Sequence, residues 1–190
     1  MTPDDRIHAL LATGDLRGAA TEAIRGYHGE ILRFLRASLR NDADAEEAFS
    51  VFAEHLWRSI GTYQGRASFR TWALRIAANA ALNVRSEAWR RRGRAFETGE
   101  ASALAASLST GSGVRVEQQR SALDRLREAL SLEDQILLVL RVDQGLSWAD
   151  VAEVLSLDQG GPVTAATLTK RFERLKERLS RLAGDAGLLS

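Results

Sequence analysis

The sequence predicts an all-α protein: two small helical domains joined by a flexible linker, the second a helix-turn-helix. Three observations carry this reading. Ala, Leu, Arg and Glu, all strong helix formers, dominate the 190 residues. Proline occurs only at Pro3 and Pro162, Val, Ile and Thr never cluster into alternating runs, and no Asn-Gly or Asp-Gly turn is present. Apolar residues recur instead every three or four positions, the period of a helix with one buried face. The expected divisions are a first domain over 1–92, a linker over 93–115 and a second domain over 116–190.

The elements follow in order. A first helix is expected from about Asp4 to Leu11. A second runs from about Leu16 to Leu39, with Ile24, Tyr27, Ile31, Leu35 and Leu39 as its apolar stripe. Asn41 and Asp42 mark a break. Asp42 or Asp44 is expected to cap the third helix, whose early carboxylates suit the helix dipole. That helix reaches about Ser59, with Ala45, Ala48, Phe52 and Leu56 inward and Phe49 at their margin. Gly61 to Gly65 reads as a turn. A fourth helix from about Ser68 carries Phe69, Trp72, Ile76, Ala80 and Val84 on one buried face. From Gly93 to about Gly113 the period gives way to Gly, Ser, Thr and Ala, a linker composition. The second domain begins near Val116, where Leu123, Leu126 and Leu130 give one stripe and Ile136, Leu137 and Leu140 another. Each half buries a small core and is expected to be only modestly stable alone.

Composition excludes several chemistries. Without cysteine there is no disulfide framework, thiolate metal site or cysteine nucleophile. His8, His28 and His55 are scattered at no metal-ligand spacing, and no Gly-x-Gly-x-x-Gly or phosphate loop occurs. Glu46 and Glu47 cannot act as a carboxylate pair, because neighbouring helical positions point apart. No enzyme activity, metal, cofactor or small-molecule substrate is expected. The start, Met1-Thr2-Pro3-Asp4-Asp5-Arg6, lacks the basic and apolar runs of a signal peptide. No apolar stretch approaches the roughly 20 residues needed to span a bilayer. A cytoplasmic protein without membrane insertion is the expectation. The net charge of +1 says little, but its distribution is segregated. Asp42, Asp44, Glu46, Glu47 and Glu54 fall in a stretch with no Lys or Arg, whereas Arg85, Arg90, Arg91, Arg92 and Arg94 face one acid, Glu87.

The last forty-odd residues carry the plainest pattern. Gly145 is suited to end a helix in the left-handed conformation. Ser147 caps the next, with Asp150 three residues on as a capping-box partner, and Trp148, Val151, Ala152 and Leu155 make its buried side. After a connection over Ser156 to Pro162, Thr164 caps a final helix with an apolar stripe of Leu168, Phe172, Leu175, Leu179 and Leu182. Its other side displays Thr167, Lys170, Glu173, Arg174 and Glu177. From Ala165 to Leu182 it would be ~27 Å long. Such a helix is shaped for a DNA major groove: Lys170 and Arg174 for guanine edges or phosphates, Glu173 for cytosine. The competing reading is a surface helix whose charges pair at i,i+3 and i,i+4, as Glu173 with Lys176.

A second basic segment lies in the front half. Tyr63 to Asn83 mixes cations, aromatics and amides and runs on into Arg85 and Arg90 to Arg94. Unstacked bases need planes to stack on and amides to read their edges; Tyr63, Gln64, Arg66, Asn79 and Asn83 supply these. Phe69 and Trp72 share the apolar stripe and are expected in the core. Arg90 to Arg94 are either a solvated helix end or phosphate contacts.

At these residues the chain resembles the extracytoplasmic-function (ECF) group of bacterial RNA polymerase sigma factors. The resemblance rests on the order of its parts: an acidic helix, Ser68-Phe69-Arg70-Thr71-Trp72 with Arg75-Ile76-Ala77-Ala78-Asn79, a basic run, a linker and a helix-turn-helix. It covers about Asp15 to Arg92 and Val116 to Ala183. It implies binding to core RNA polymerase, with the acidic helix (Asp44, Glu46, Glu47, Ser50, Glu54) docked on the coiled coil of the largest subunit. It also implies promoter DNA as partner. The melted −10 element would be read through Tyr63, Gln64, Arg66, Arg75, Asn79, Asn83 and Arg85, and the −35 duplex through Thr167, Thr169, Lys170, Arg171, Glu173 and Arg174. An anti-sigma protein is a further candidate partner. Two departures stand out: Ser50-Val51 replaces the family's usual Gln-Glu, and the connection Leu155 to Thr167 is about six residues longer than the family's tight turn. The alternative is a stand-alone helix-turn-helix regulator whose front half dimerises or senses a ligand.

Overall fold

Helix starts are set by short polar side chains closing onto free backbone N–H groups. The computed structural model describes residues 2–95, 130–156 and 163–185, and of 89–95 and 185 the backbone only. These residues are all-α, with no strand among them. The helices are α1 (Pro3–Ala12), α2 (Leu16–Leu39), α3 (Asp42–Ser59), α4 (Phe69–Ala95), α5 (Leu132–Leu138), α6 (Trp148–Leu155) and α7 (Ala165–Asp185). Thr2 and Asp5 form a reciprocal capping box on α1, and Asp15 caps α2. Ser68 accepts from Thr71 N–H at 3.0 Å, Ser147 from Asp150 N–H at 3.1 Å and Thr164 from Thr167 N–H at 3.2 Å. The cap of α3 is Asn41, whose side chain accepts from Asp44 N–H at 2.9 Å, rather than Asp42 or Asp44. The amide oxygen leaves both carboxylates inside the first turn, where the positive end of the dipole favours them.

The front half is a bundle in which α2 packs on α1, α3 and α4, and α3 on α4. Phe34, Phe52, Phe69, Ile31, Leu35, Leu56 and Leu74 are fully buried at its centre. Ile24 and Phe49 lie at its margin. The apolar stripe expected on α4 is only partly buried: Trp72 and Ile76 are half-exposed, while Ala73, Leu74, Ala77, Ala78 and Ala81 are sealed. The cause is that α4 has partners on two sides, α2 and α3 on one and α6 on the other. Alanines at the crossing leave room for a close approach.

The back half therefore does not stand apart. Ile136, Leu137, Leu140, Val151, Val154 and Leu168 belong to one continuous buried cluster with the front half. Polar bonds reinforce the junction. Arg70 Nη2 donates to Gln144 Oε1 at 2.9 Å while its Nε donates to Glu30 at 2.6 Å. Thr71, almost wholly buried, donates to Asp150 at 3.2 Å, and Arg75 pairs with Glu153 at 3.3 Å. On α6 the buried residues are Val151 and Val154, with Trp148, Ala152 and Leu155 half-buried. After α5 the chain widens into a π-helical turn over Val139–Asp143 and closes with Gln144 N–H on Val139 O at 2.9 Å. Gly145 then reverses direction at φ +63°, as its lack of a Cβ allows. Helix α4 runs on through Gly93 to Ala95, the first three residues of the expected linker. The rest of that linker, the stripe at Leu123 and Leu126, the side chains of Arg90 to Arg94 and residues 157–162 of the final connection lie outside the described residues.

Candidate nucleic-acid interface

Four residues at helical spacing on α4 share one face: Trp72, Arg75, Asn79 and Asn83. Opposite them stands the C-terminal end of α3. Between the two helices lies a groove of about 530 Å³ lined by His55, Arg58, Ser59, Thr62, Trp72, Arg75, Ile76 and Asn79. It holds aromatic planes, an amide and two guanidinium groups, the set a nucleotide needs for stacking, edge reading and phosphate pairing. Two of its members, Arg75 and Asn79, were legible in the sequence. His55, Arg58, Ser59 and Thr62 were not, because they come from the end of α3 and the turn Ile60–Thr62 after it, and only the packing of α3 on α4 brings them to α4. The Ser59 and Thr62 hydroxyls are already spent on His55 O and Ser59 O, at 2.6 and 2.7 Å. Arg58 pairs with Glu54 at 2.6 Å.

The remaining strand-reading candidates sit around this groove. Gln64 and Arg66 are exposed in the turn before α4, Asn83 is exposed one turn beyond Asn79, and Arg85 is half-buried. Tyr63 is half-buried rather than free: its hydroxyl donates to Ala67 O at 2.8 Å, and its ring meets Phe69 at 5.1 Å and Trp72 at 5.3 Å. Burial, assisted by the nearby Asp4 charge, raises its phenol pKa above the usual value.

On α7 the apolar stripe faces inward through Leu168 and Leu175, with Phe172 half-buried against Trp148 at 5.4 Å. Thr167, Lys170, Arg171, Glu173 and Arg174 are exposed, and Thr169 is half-buried with its hydroxyl on Ala165 O at 2.9 Å. The charged side is thus free of hydrophobic packing. Of its charges, Arg171 and Glu173 have ion-pair partners among the described residues. Arg171 Nε donates to Asp134 at 2.7 Å, tying α7 to the first turn of α5, and Glu173 pairs with Lys176 at 2.8 Å. Arg141 lies 4.9 Å over the Trp148 ring and donates to Leu146 O at 2.7 Å, bracing the turn before α6.

The acidic helix keeps an outward face. Glu46, Ser50 and Glu54 are exposed at intervals of four residues, and Trp57, 46% exposed, continues them. Glu47 is half-buried, and Asp44 is half-buried in the first turn. Arg36 reaches over from α2 to Asp42 at 3.1 Å and Glu46 at 3.7 Å.

A helical body with a groove of aromatic, amide and guanidinium groups and an exposed basic helix has the chemistry for contact with nucleic acid. Residues 23–95 match the family model of sigma-70 region 2, covering α4, α3 and most of α2. No curated protein sequence matches the chain. Among solved structures, CnrH in complex with the cytosolic domain of CnrY shares the fold with a TM-score of 0.63, at 17% identity over 96% of this chain and 98% of that one. The sigma factor RpoE in complex with the anti-sigma factor NepR, from Bartonella quintana, gives 0.57 at 16% identity, over 86% and 96%. The resemblance to ECF sigma factors is thus carried by a matching region 2 and by the fold of a solved sigma factor. Together they show a region 2 match over residues 23–95 and a shared fold over most of the chain. No helix among the described residues is long and apolar enough to cross a membrane.

Proposed function

We propose that this chain is a cytoplasmic transcription initiation factor of the ECF type that binds core RNA polymerase and directs it to promoters, with no catalysis of its own. The front half captures the −10 element as single strand. A base leaving the duplex stacks beside Trp72, Asn79 reads its edge, and Arg75 and Arg58 offset the phosphate charge. Capture offsets an unstacking cost of a few kcal/mol, which drives opening. The exposed side of α7, through Lys170, Glu173 and Arg174, reads the −35 element in the major groove. The outward face of α3 docks on the coiled coil of the largest polymerase subunit. Once promoter and polymerase part the shared core of the two halves, the chain between them tethers two weak binders, so engagement of one raises the effective concentration of the other. CnrH and RpoE were each solved with a protein partner, and a partner of the anti-sigma kind fits this chain as well.

The observation that carries this reading is the groove between α3 and α4, which gathers Trp72, Arg75 and Asn79 from one helix face. The experiment is run-off transcription on a promoter library with core polymerase and the purified chain. Transcripts from a defined subset of promoters are expected. Output no different from core polymerase alone rejects the proposal, and failure to co-purify with core while binding a palindromic duplex favours a stand-alone regulator.

A further inference from the structure

The first helix lies wholly outside the region 2 match, yet it is firmly docked. Ile7 is fully buried, Arg6 pairs with Glu22 at 2.5 Å, and the Pro3 ring approaches Gly26 so closely that a Cβ there would stand 3.0 Å from Pro3 Cβ. Two of its residues reach a continuous set of rings, Tyr27, Phe69, Tyr63 and Trp72, with neighbouring centroids 5.1 to 5.8 Å apart. Asp4 accepts from the Tyr27 hydroxyl at one end of the set. His8 meets the Tyr63 ring edge-on, centroids 5.8 Å apart at 67°. The imidazole is itself held, because its Nδ1–H donates to Asp4 O at 2.8 Å. At the far end of the set, Trp72 lines the groove.

Tyr63 in turn organises the turn that precedes α4. Its hydroxyl on Ala67 O closes a loop whose tip, Gln64 to Arg66, is exposed, with Gly65 at φ +67°. A loop with so little burial of its own is ordered by what its base rests on. A loop already ordered gives up less entropy when it binds.

We propose that α1 is a buttress for the strand-reading loop, and that His8 is a positioning residue that acts through Tyr63 to hold Gln64 and Arg66 ready for single-stranded DNA. This rests on the strand-capture reading above, but its contact is testable separately. One edge-on ring pair of this kind corresponds to roughly a two- to tenfold effect.

The test uses the full chain and two variants, His8→Ala and His8→Phe. Amide hydrogen exchange over 62–67 reads loop order. Anisotropy with labelled single-stranded DNA of random sequence reads capture, and a duplex of random sequence serves as control. His8→Ala is expected to speed exchange in the loop and weaken single-strand binding about two- to tenfold, with duplex binding unchanged and the thermal midpoint lowered by only a few degrees. His8→Phe, which keeps a ring edge against Tyr63, is expected to restore both. Loop exchange as slow in His8→Ala as in the parent overturns the buttress, whatever the binding does. Faster exchange with parental single-strand affinity overturns the positioning role. If the parent chain binds no single strand, the strand-capture reading falls, while the exchange result still decides the buttress.

Discussion

The guanidinium of Arg75 and the carboxylate of Glu153 meet at 3.3 Å, joining α4 to α6 on the edge of the groove. Arg75 is one of the cations proposed to receive a phosphate, and an acid from the other half of the chain stands in that position. Thr71 on Asp150 and Arg70 on Gln144 lie along the same junction. Binding a strand at Arg75 therefore requires exchange of one anion for another. Glu153→Gln removes the competitor. With side chains 27% and 46% exposed, the pair is worth at most about 1 kcal/mol. Single-strand affinity, measured by anisotropy, should rise by up to about fivefold, most at low salt. An unchanged affinity places the strand elsewhere than Arg75.

Asn79 lies in the groove on the same face as Arg75 and is half-buried. Its amide offers a donor and an acceptor to a base edge. Asn79→Ala removes both at little cost in packing. If the amide reads an extruded base, open complexes with core polymerase should fall about two- to tenfold, the worth of a hydrogen bond. Closed-complex binding should be nearly unaffected. Permanganate reactivity of promoter thymines is the measurement, and reactivity equal to the parent rejects the role.

Where the sequence was legible, one stripe meets one neighbour. The helix limits of α1 to α3, the caps at Ser147 and Thr164 and the inward set Ala45, Ala48, Phe52 and Leu56 are local consequences of period and cap chemistry. The reading thins out where an element has two partners. Ala73, Ala77, Ala78 and Ala81 look unremarkable as letters, yet all four are sealed where α4 packs among its neighbours. The π-helical turn at Val139–Asp143 carries no proline or glycine to announce it. For the interface, Arg75 and Asn79 share a segment and were visible together. His55, Arg58, Ser59 and Thr62 join them only through the packing angle of α3 on α4. Arg171 looked like a DNA contact beside Lys170, and only the fold discloses Asp134 as its neighbour.

That neighbour separates two arginines of the final helix. Arg174 is exposed, with no ion pair to it among the described residues, whereas Arg171 is tied to α5. Arg174→Ala should cost ~1–3 kcal/mol on a −35 duplex if it reads a base, and relax preference at one position. Equal loss on every duplex makes it a phosphate contact instead. Arg171→Ala should act through structure: a loss of up to about 1 kcal/mol in stability, as for exposed pairs. It should leave the preference among duplexes intact. Duplex binding across a set of sequences, with a parallel thermal melt, tells the two apart. Altered sequence preference in Arg171→Ala contradicts the strut.

The two tyrosines give a pH signature of the same corner of the molecule. Burial raises the phenol pKa of Tyr27, helped by its bond to Asp4, and burial together with the Asp4 charge raises that of Tyr63. The chain has no other tyrosine. Both phenols therefore hold their protons in the folded state at a pH where an unfolded chain, titrating near 10, has begun to lose them. Protons bound more tightly when folded mean that stability from these groups is intact below pH 10 and declines as pH climbs beyond it toward the folded values. At pH 10 the phenolate absorbance of the native protein should be less than half its value for two fully ionised rings, and unfolding in denaturant at that pH should raise it. Asp4→Asn keeps the shape of the contact but removes the charge that opposes ionisation. It should bring phenolate formation to lower pH, and a titration curve identical to that of the parent would show that Asp4 does not hold Tyr27.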